Sequence, residues 1–370
     1  MMVIELWRRP GRLAGVTVTM TALAALAVIL VSLSSGLWAG ATGAIGRSSA
    51  DEFAFSRDSL GSFARSRFPL TELARVARLP GVRAAGALGT LTTAMSLPHQ
   101  TVDVAVMGSQ FSGPGAPPAA LPGRLPRAGE DAAAVDVALR ADGVRLGSWL
   151  RPLAGGPRLR VTGFVAAGQF ELLPTVWTSL ATWQALSAAA QPESSSSVPV
   201  AQVLTVSLTA RARQRQVQDE VSAALGGATV IGRDQAMLAV PGAAAMRTTI
   251  AELIAAVLGV AAAVCALFSA LQAAERRAEL ARLRALGASA RRLGMTLLAQ
   301  TGIPAILAVG AAFLLTAALL AAAPPQFPAA LPLPDAAGTG ALILLAAGAG
   351  AIVPVVRAAS VDPMITMEEQ

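Results

Sequence analysis

Four apolar runs, residues 15–38, 249–271, 293–322 and 338–356, constrain this chain more than any other feature. Each is about as long as a helix needs to cross some 30 Å of hydrocarbon at 1.5 Å per residue. A soluble fold would have to bury all four on every side, and the composition offers little polar surface for that. Hydrophobic residues make up 54% of the chain, charged residues 14%, and the mean hydropathy is +0.59. The runs are therefore read as four transmembrane α-helices. The first follows Arg8 and Arg9 and ends at Ala39-Gly40-Ala41, which looks like a small-residue cleavage site. Its length nevertheless exceeds the roughly 7–15 residues of a signal peptide's apolar core, so it is read as a retained anchor.

Residues 39–247 are too mixed in polarity to span a membrane, and their Pro, Gly and short β-branched runs describe a large α+β domain inserted between helices 1 and 2. All 29 basic residues are arginine, and those in short segments decide orientation. Arg8, Arg9 and Arg12 precede the first span, six arginines lie in residues 274–292, Arg357 follows the fourth span, and residues 323–337 have none. This places both termini and the segment 274–292 in the cytoplasm and the large domain outside, in a multi-pass protein of the plasma or inner membrane. The net charge of +7 is read as this orientation signal, with no nucleic-acid partner. Residues 1–12 are read as a cytoplasmic amphipathic helix, broken at Pro10-Gly11 ahead of the first span, and residues 357–370 as a cytoplasmic tail.

Within the outer domain a helix is expected over 70–78, strands over 82–95 and 101–107, and a Pro/Gly-rich connection at 113–126 into a second lobe of about 113–175. Val102, Val104 and Val106 alternate with Asp103 and Ala105 as in a half-buried strand. The second lobe holds strands at 132–137 and 159–165. A helix at 178–190, a linker at 191–197, a strand at 198–208, a helix at 210–225 and a strand at 228–231 complete the domain. Gly302, Gly310, Gly338, Gly340, Gly348 and Gly350 in the later spans would allow close helix approach, and Pro304 would kink the third.

The chain lacks the residues that most catalysis requires. Without lysine there is no phosphate-binding loop and no Ser-Lys pair. His99 is the only histidine, which excludes zinc sites built on two histidines, and there is no tyrosine. Cys265, the only cysteine, falls inside a span, so the outer domain has no disulfide. The chain is read as a non-catalytic subunit with no permanently bound cofactor and no metal.

The cytoplasmic segment carries the functional signal. Leu280, Leu283 and Leu286 recur along one helix with Glu279, Arg282 and Arg284 on other faces, Gly287 suits a left-handed helix stop, and Ser289 suits the cap of the next helix. A short charged hairpin between two spans is suited to receive force from a partner. The run Glu279, Leu280, Leu283, Arg284, Ala285, Leu286, Gly287, Ala288 resembles the signature of FtsX-like permeases of the MacB type of ABC transporters. The order of spans, the outer-domain motifs Gly123 to Pro126, Leu159 to Gly163 and Pro174 to Leu180, and the ending Val361-Asp362-Pro363 are similar to the same family.

The resemblance implies a MacB-like fold. Two copies would form the membrane core as a homodimer in the lipid, and two copies of a separate ABC ATPase subunit would use ATP. The hairpin residues just named would couple the two, and movement would pass mechanically to the outer domains. Its compact form is most similar to the HrtB/DevC branch, whose HrtB members export haem, so haem joins lipids, peptides and antibiotics among the hydrophobic or amphiphilic cargoes. Met20, Met246 and Glu252 are the candidate substrate-binding residues, a thioether and a carboxylate being possible axial ligands of haem. Glu252 pairing with Arg247 is the competing, purely structural reading. A second class within the resemblance, transmembrane regulation of an extracytoplasmic cell-wall hydrolase, is typical of FtsX proper, whose outer domain is smaller.

Overall fold

The computed structural model describes residues 10–192, 200–275, 290–322, 334, 337–345 and 348. It divides into two compact units, Leu37–Arg247 and the combination of Met1–Gly36 with Thr248–Gln370.

Helix α1 (Pro10–Gly46) starts at Pro10, the proline expected to break the preceding amphipathic helix, whose residues 1–9 lie outside the described residues. Proline suits the first turn of a helix, where its missing N–H has no partner to lose, so Pro10 opens the helix. Strands β1 (Glu52–Phe55), β2 (Phe68–Pro69), helix α2 (Thr71–Val76), β3 (Val82–Ser96), β4 (Thr101–Ser109), β5 (Ala132–Asp136), β6 (Trp149–Pro152), β7 (Leu159–Val165) and β8 (Thr175–Ser179) follow. Helix α3 (Leu180–Ala190), β9 (Val200–Ala201), β10 (Val203–Leu208), α4 (Gln214–Ala224), β11 (Thr229–Gly232) and α5 (Arg233–Leu238) complete the domain.

Nine strands form one sheet in the order β11-β1-β10-β3-β4-β8-β5-β7-β6, and β6 also pairs with β3. Six strands, β3-β4-β8-β5-β7-β6, thus close on themselves as a barrel, and β10, β1 and β11 extend from the first half of β3. The fifteen-residue β3 belongs to both parts, pairing with β10 from Val82 to Leu88 and with β4 from Leu88 to Ser96. One sheet therefore joins strands that precede and follow residue 113. Strand β4 is buried on both faces from Val104 to Ser109 rather than half-buried. Val104 and Val106 face a core shared with Trp183 and Leu186 of α3, while Ala105 and Met107 face a second core with Phe53, Phe55 and Trp177.

Ser179 caps α3, its hydroxyl accepting the Thr182 N–H at 3.2 Å. The helix presses Trp183 against Gly89 and Gly108, which are partners across β3 and β4. A Cβ on either glycine would overlap the indole, so the pair provides a flat floor that only glycine can form.

In the other unit, α1, α6 (Ala243–Glu275) and α7 (Ala290–Ala322) pack with the helical residues 337–345 through small side chains. Ala24, Ala25 and Ala27 meet Val309, Ala312 and Ile343, with Val257 and Leu258 at the margin. Of the glycines expected at close contacts, Gly340 lies against Phe313 and Val309, whereas a Cβ added at Gly302, Gly310, Gly338 or Gly348 would meet nothing within 4 Å among the described residues. Thr17–Gly46, Ala243–Val264 and Gly302–Ala322 are long and apolar enough to cross a membrane. Most of the expected fourth span, with Gly350, lies outside the described residues.

Trp183→Ala should destabilise the domain by about 3–5 kcal/mol, the usual cost of emptying an aromatic site in a packed core, and Gly89→Val should be comparably damaging through overlap. Urea unfolding of each variant, followed by domain fluorescence, measures both effects.

Candidate functional site

The expected coupling residues Glu279, Leu280, Leu283, Arg284, Ala285, Leu286, Gly287 and Ala288 lie outside the described residues, between the end of α6 at Glu275 and the start of α7 at Ala290. Of the expected substrate-binding residues, Met20 is buried against Ala305 and Ala308, with Leu344 beside them, so its thioether has apolar neighbours. Glu252 is exposed on α6 and makes no ion pair among the described residues. Met246 is half-buried and belongs to the other unit. Arg247, the competing partner for Glu252, lies over the ring of Trp38 at 5.4 Å. No group of three or more His, Cys, Asp or Glu residues among the described residues could hold a metal ion.

The structure brings together residues that sequence reasoning did not select. The last turns of α1 are fastened to the segment between β7 and β8. Gln169 O accepts the Ala44 N–H at 2.9 Å, Gly40 O accepts the Leu172 N–H at 3.0 Å, and Ala41 O accepts the Glu171 N–H at 2.9 Å. In a regular helix the Ala44 N–H would go to Gly40 O, so the loop engages both the donor and the acceptor of one helical rung. Arg47 Nη1 adds a bond to Ala166 O at 2.8 Å.

Backbone can approach helix backbone this closely only where side chains are missing. A Cβ on Gly43 would lie 3.3 Å from Gly168 Cα, and one on Gly168 would lie 2.9 Å from Gly43 C. Gly168 has φ +82°, and Glu171 and Leu172 adopt left-handed φ of 54° and 66°, a conformation that costs a side-chain-bearing residue energy and persists when its surroundings enforce it. Ile45 is buried with Phe53, Phe55, Phe63 and Phe170. Phe63 stacks edge-on against both Phe55 and Phe170, at 5.0 and 5.6 Å. The end of α1 is thus part of the domain core.

Burial raises the pKa of the Glu171 carboxyl, and a hydrogen bond from Thr92 Oγ1 at 3.4 Å opposes the rise. Burial likewise raises Asp136, opposed by its bond from the Ala138 N–H and by the charge of Arg47. On the barrel's surface Glu130 is held down at about 2 by bonds from Arg124 and from the Arg127 N–H. The signal for this fastening of α1 to the β7–β8 segment, a backbone clip, was present as the small residues Ala39 to Gly43. They match a cleavage site in composition, but here they serve close packing.

Comparisons with known proteins show what the chain resembles. Residues 253–363, which include the expected coupling residues, match the model described as FtsX-like permease C-terminal. Uncharacterised ABC transporter permeases from two strains of Mycobacterium tuberculosis are 32% identical over 189 residues, covering 50% of this chain and 52% of theirs. The chain spans about half the length of these curated relatives. It is similar to FtsX-like permeases over residues 253–363 and to these ABC transporter permeases over the 189 residues shared with them. Among solved structures, the periplasmic region of MacB from Actinobacillus actinomycetemcomitans is 10% identical with a TM-score of 0.37, covering 51% of this chain and 92% of that one. The extracellular domain of the noncanonic ABC-type transporter YknZ from Gram-positive bacteria is 13% identical with a TM-score of 0.36, covering 49% and 98%.

Because the folded-state pKa of Glu171 is raised, its carboxyl favours the folded state fully below the unfolded pKa, and that contribution is lost as pH rises through the folded value. Glu171→Gln should therefore raise the thermal midpoint at pH 7.5 and leave it nearly unchanged at pH 4. Thermal unfolding of the full chain across that range tests the sign.

Proposed function

We propose that this chain is the membrane permease subunit of an ABC transporter and that it works by mechanical transmission. The match of residues 253–363 to the FtsX-like permease model carries this reading, and the clip supplies a physical route. Helix α1 is continuous from Pro10 to Gly46, and its end is built into the outer domain by backbone hydrogen bonds and by Ile45. A displacement of that helix must move the domain or break those bonds.

In this reading the protein is a multi-pass membrane subunit of four spans, with both termini and the hairpin on the cytoplasmic side. Two copies form a homodimer, and two copies of a separate ATPase subunit act on the segment from Glu279 to Ala288. The chain itself performs no catalysis, since without lysine it lacks a phosphate-binding loop. The cargo class is a hydrophobic or amphiphilic molecule exported from the cell. Haem belongs to that class through the resemblance to the HrtB/DevC branch, with Met20, Met246 and Glu252 as the residues to vary.

Replacing Leu286 and Gly287 together with Asp should abolish co-purification of the ATPase while the permease still inserts in the membrane. Undiminished co-purification would remove the hairpin from the coupling role.

A further inference from the structure

The barrel presents an arginine surface with a tryptophan at its centre, and the proposed transport cycle makes no use of it. Along β6, Leu150 and Pro152 point into the core while Trp149 and Arg151 point out; Leu153, just past the strand, is also exposed. Along β7, Leu159 and Val161 are buried while Arg160 is exposed, as is Arg158 just before the strand. Trp149 pairs with Arg160 and Leu150 with Leu159, and extending that register by one step sets Arg151 opposite Arg158. The indole is 58% exposed and Leu153 59%. Leu146, 48% exposed, lies at the other end of β6.

Residues 143–170 contain four arginines, Arg145, Arg151, Arg158 and Arg160, and no Asp or Glu. None of the four makes an ion pair among the described residues, whereas Arg75, Arg124 and Arg233 pair with Glu72, Glu130 and Asp51. The nearest acid by strand register is Asp131, whose carbonyl accepts the Arg160 N–H at 3.1 Å. Like charges facing each other across a sheet repel, and large aromatic side chains are usually covered. Both conditions are relieved by one event, the arrival of an acidic partner with an apolar side chain.

We infer that this face of β6 and β7 docks an acidic segment of a partner protein. Pairing takes up β6 on both sides, by β7 at Trp149 and Leu150 and by β3 at Arg151 and Pro152, so recognition works through side chains and not through strand addition. Side chains on one face of a strand recur about every 7 Å, so an extended partner laid along the two strands meets Arg151 next to Trp149 on β6 and Arg160 across from Trp149 on β7. Arginine offers each carboxylate a two-pronged donor. A tryptophan anchor ringed by arginines and aliphatic groups is the composition found at the energetic centre of protein interfaces, and the exposed leucines give a protein partner apolar contacts that a sugar or phosphate polymer would not use.

The test uses the full chain in phosphatidylcholine nanodiscs and a fluorescein-labelled peptide of alternating Glu and Leu, read by anisotropy at 50 and 300 mM salt. Saturable binding is expected, weakened at least tenfold by Arg151→Gln with Arg160→Gln, weakened similarly by Trp149→Ala, largely kept by the two Arg→Lys changes, and reduced at the higher salt. A peptide of alternating Gln and Leu should not bind. Absence of binding, equal binding by the glutamine variant with its thermal midpoint unchanged, or displacement of the peptide by phosphatidylglycerol vesicles would each overturn the inference, the last in favour of a membrane surface.

Discussion

The fastening of helix α1 to the segment between β7 and β8 is the contact on which the functional account depends. Three backbone hydrogen bonds join Gly40, Ala41 and Ala44 to Gln169, Glu171 and Leu172. Each is worth only about 1 kcal/mol net in folding, but together with buried Ile45 they tie the helix end to the domain core at several points. Gly43 and Gly168 permit the approach, and the left-handed backbone at Glu171 and Leu172 is held by it. A joint made of backbone transmits displacement with little slack, since no side-chain torsion lies between the two elements.

The same economy shapes the rest of the domain. Strand β3 serves the barrel with its second half and the open extension with its first, so one strand ties the two parts together. Trp183, on the floor formed by Gly89 and Gly108, fastens α3 over β3 and β4. The helical unit packs largely through alanines, whose small size lets helices approach closely.

Much of this was legible in the sequence where a pattern repeats long enough to be read. Strand β7 occupies the expected residues 159–165, and α4 lies within the expected 210–225, because its valines Val217 and Val221 mark one buried face. Strand β1 escaped because all four of its residues are buried, which removes alternation, and β6 is too short for its two-residue period to stand out. Barrel closure depends on pairing between residues more than fifty positions apart, Met95 with Pro152, which no local pattern records. The clip escaped for a chemical reason: small residues at a helix end suit a peptidase and a close backbone contact equally well.

The central claim is that movement of α1 reaches the outer domain through the clip. The direct measurement is the distance between spin labels on the outer domains of a reconstituted permease–ATPase complex, with and without ATP, in the parent and in Gly43→Val. The account expects an ATP-dependent change in the parent that is lost in the variant, while ATP hydrolysis and domain folding persist. An undiminished change in the variant would contradict it and show that force reaches the domain by another route.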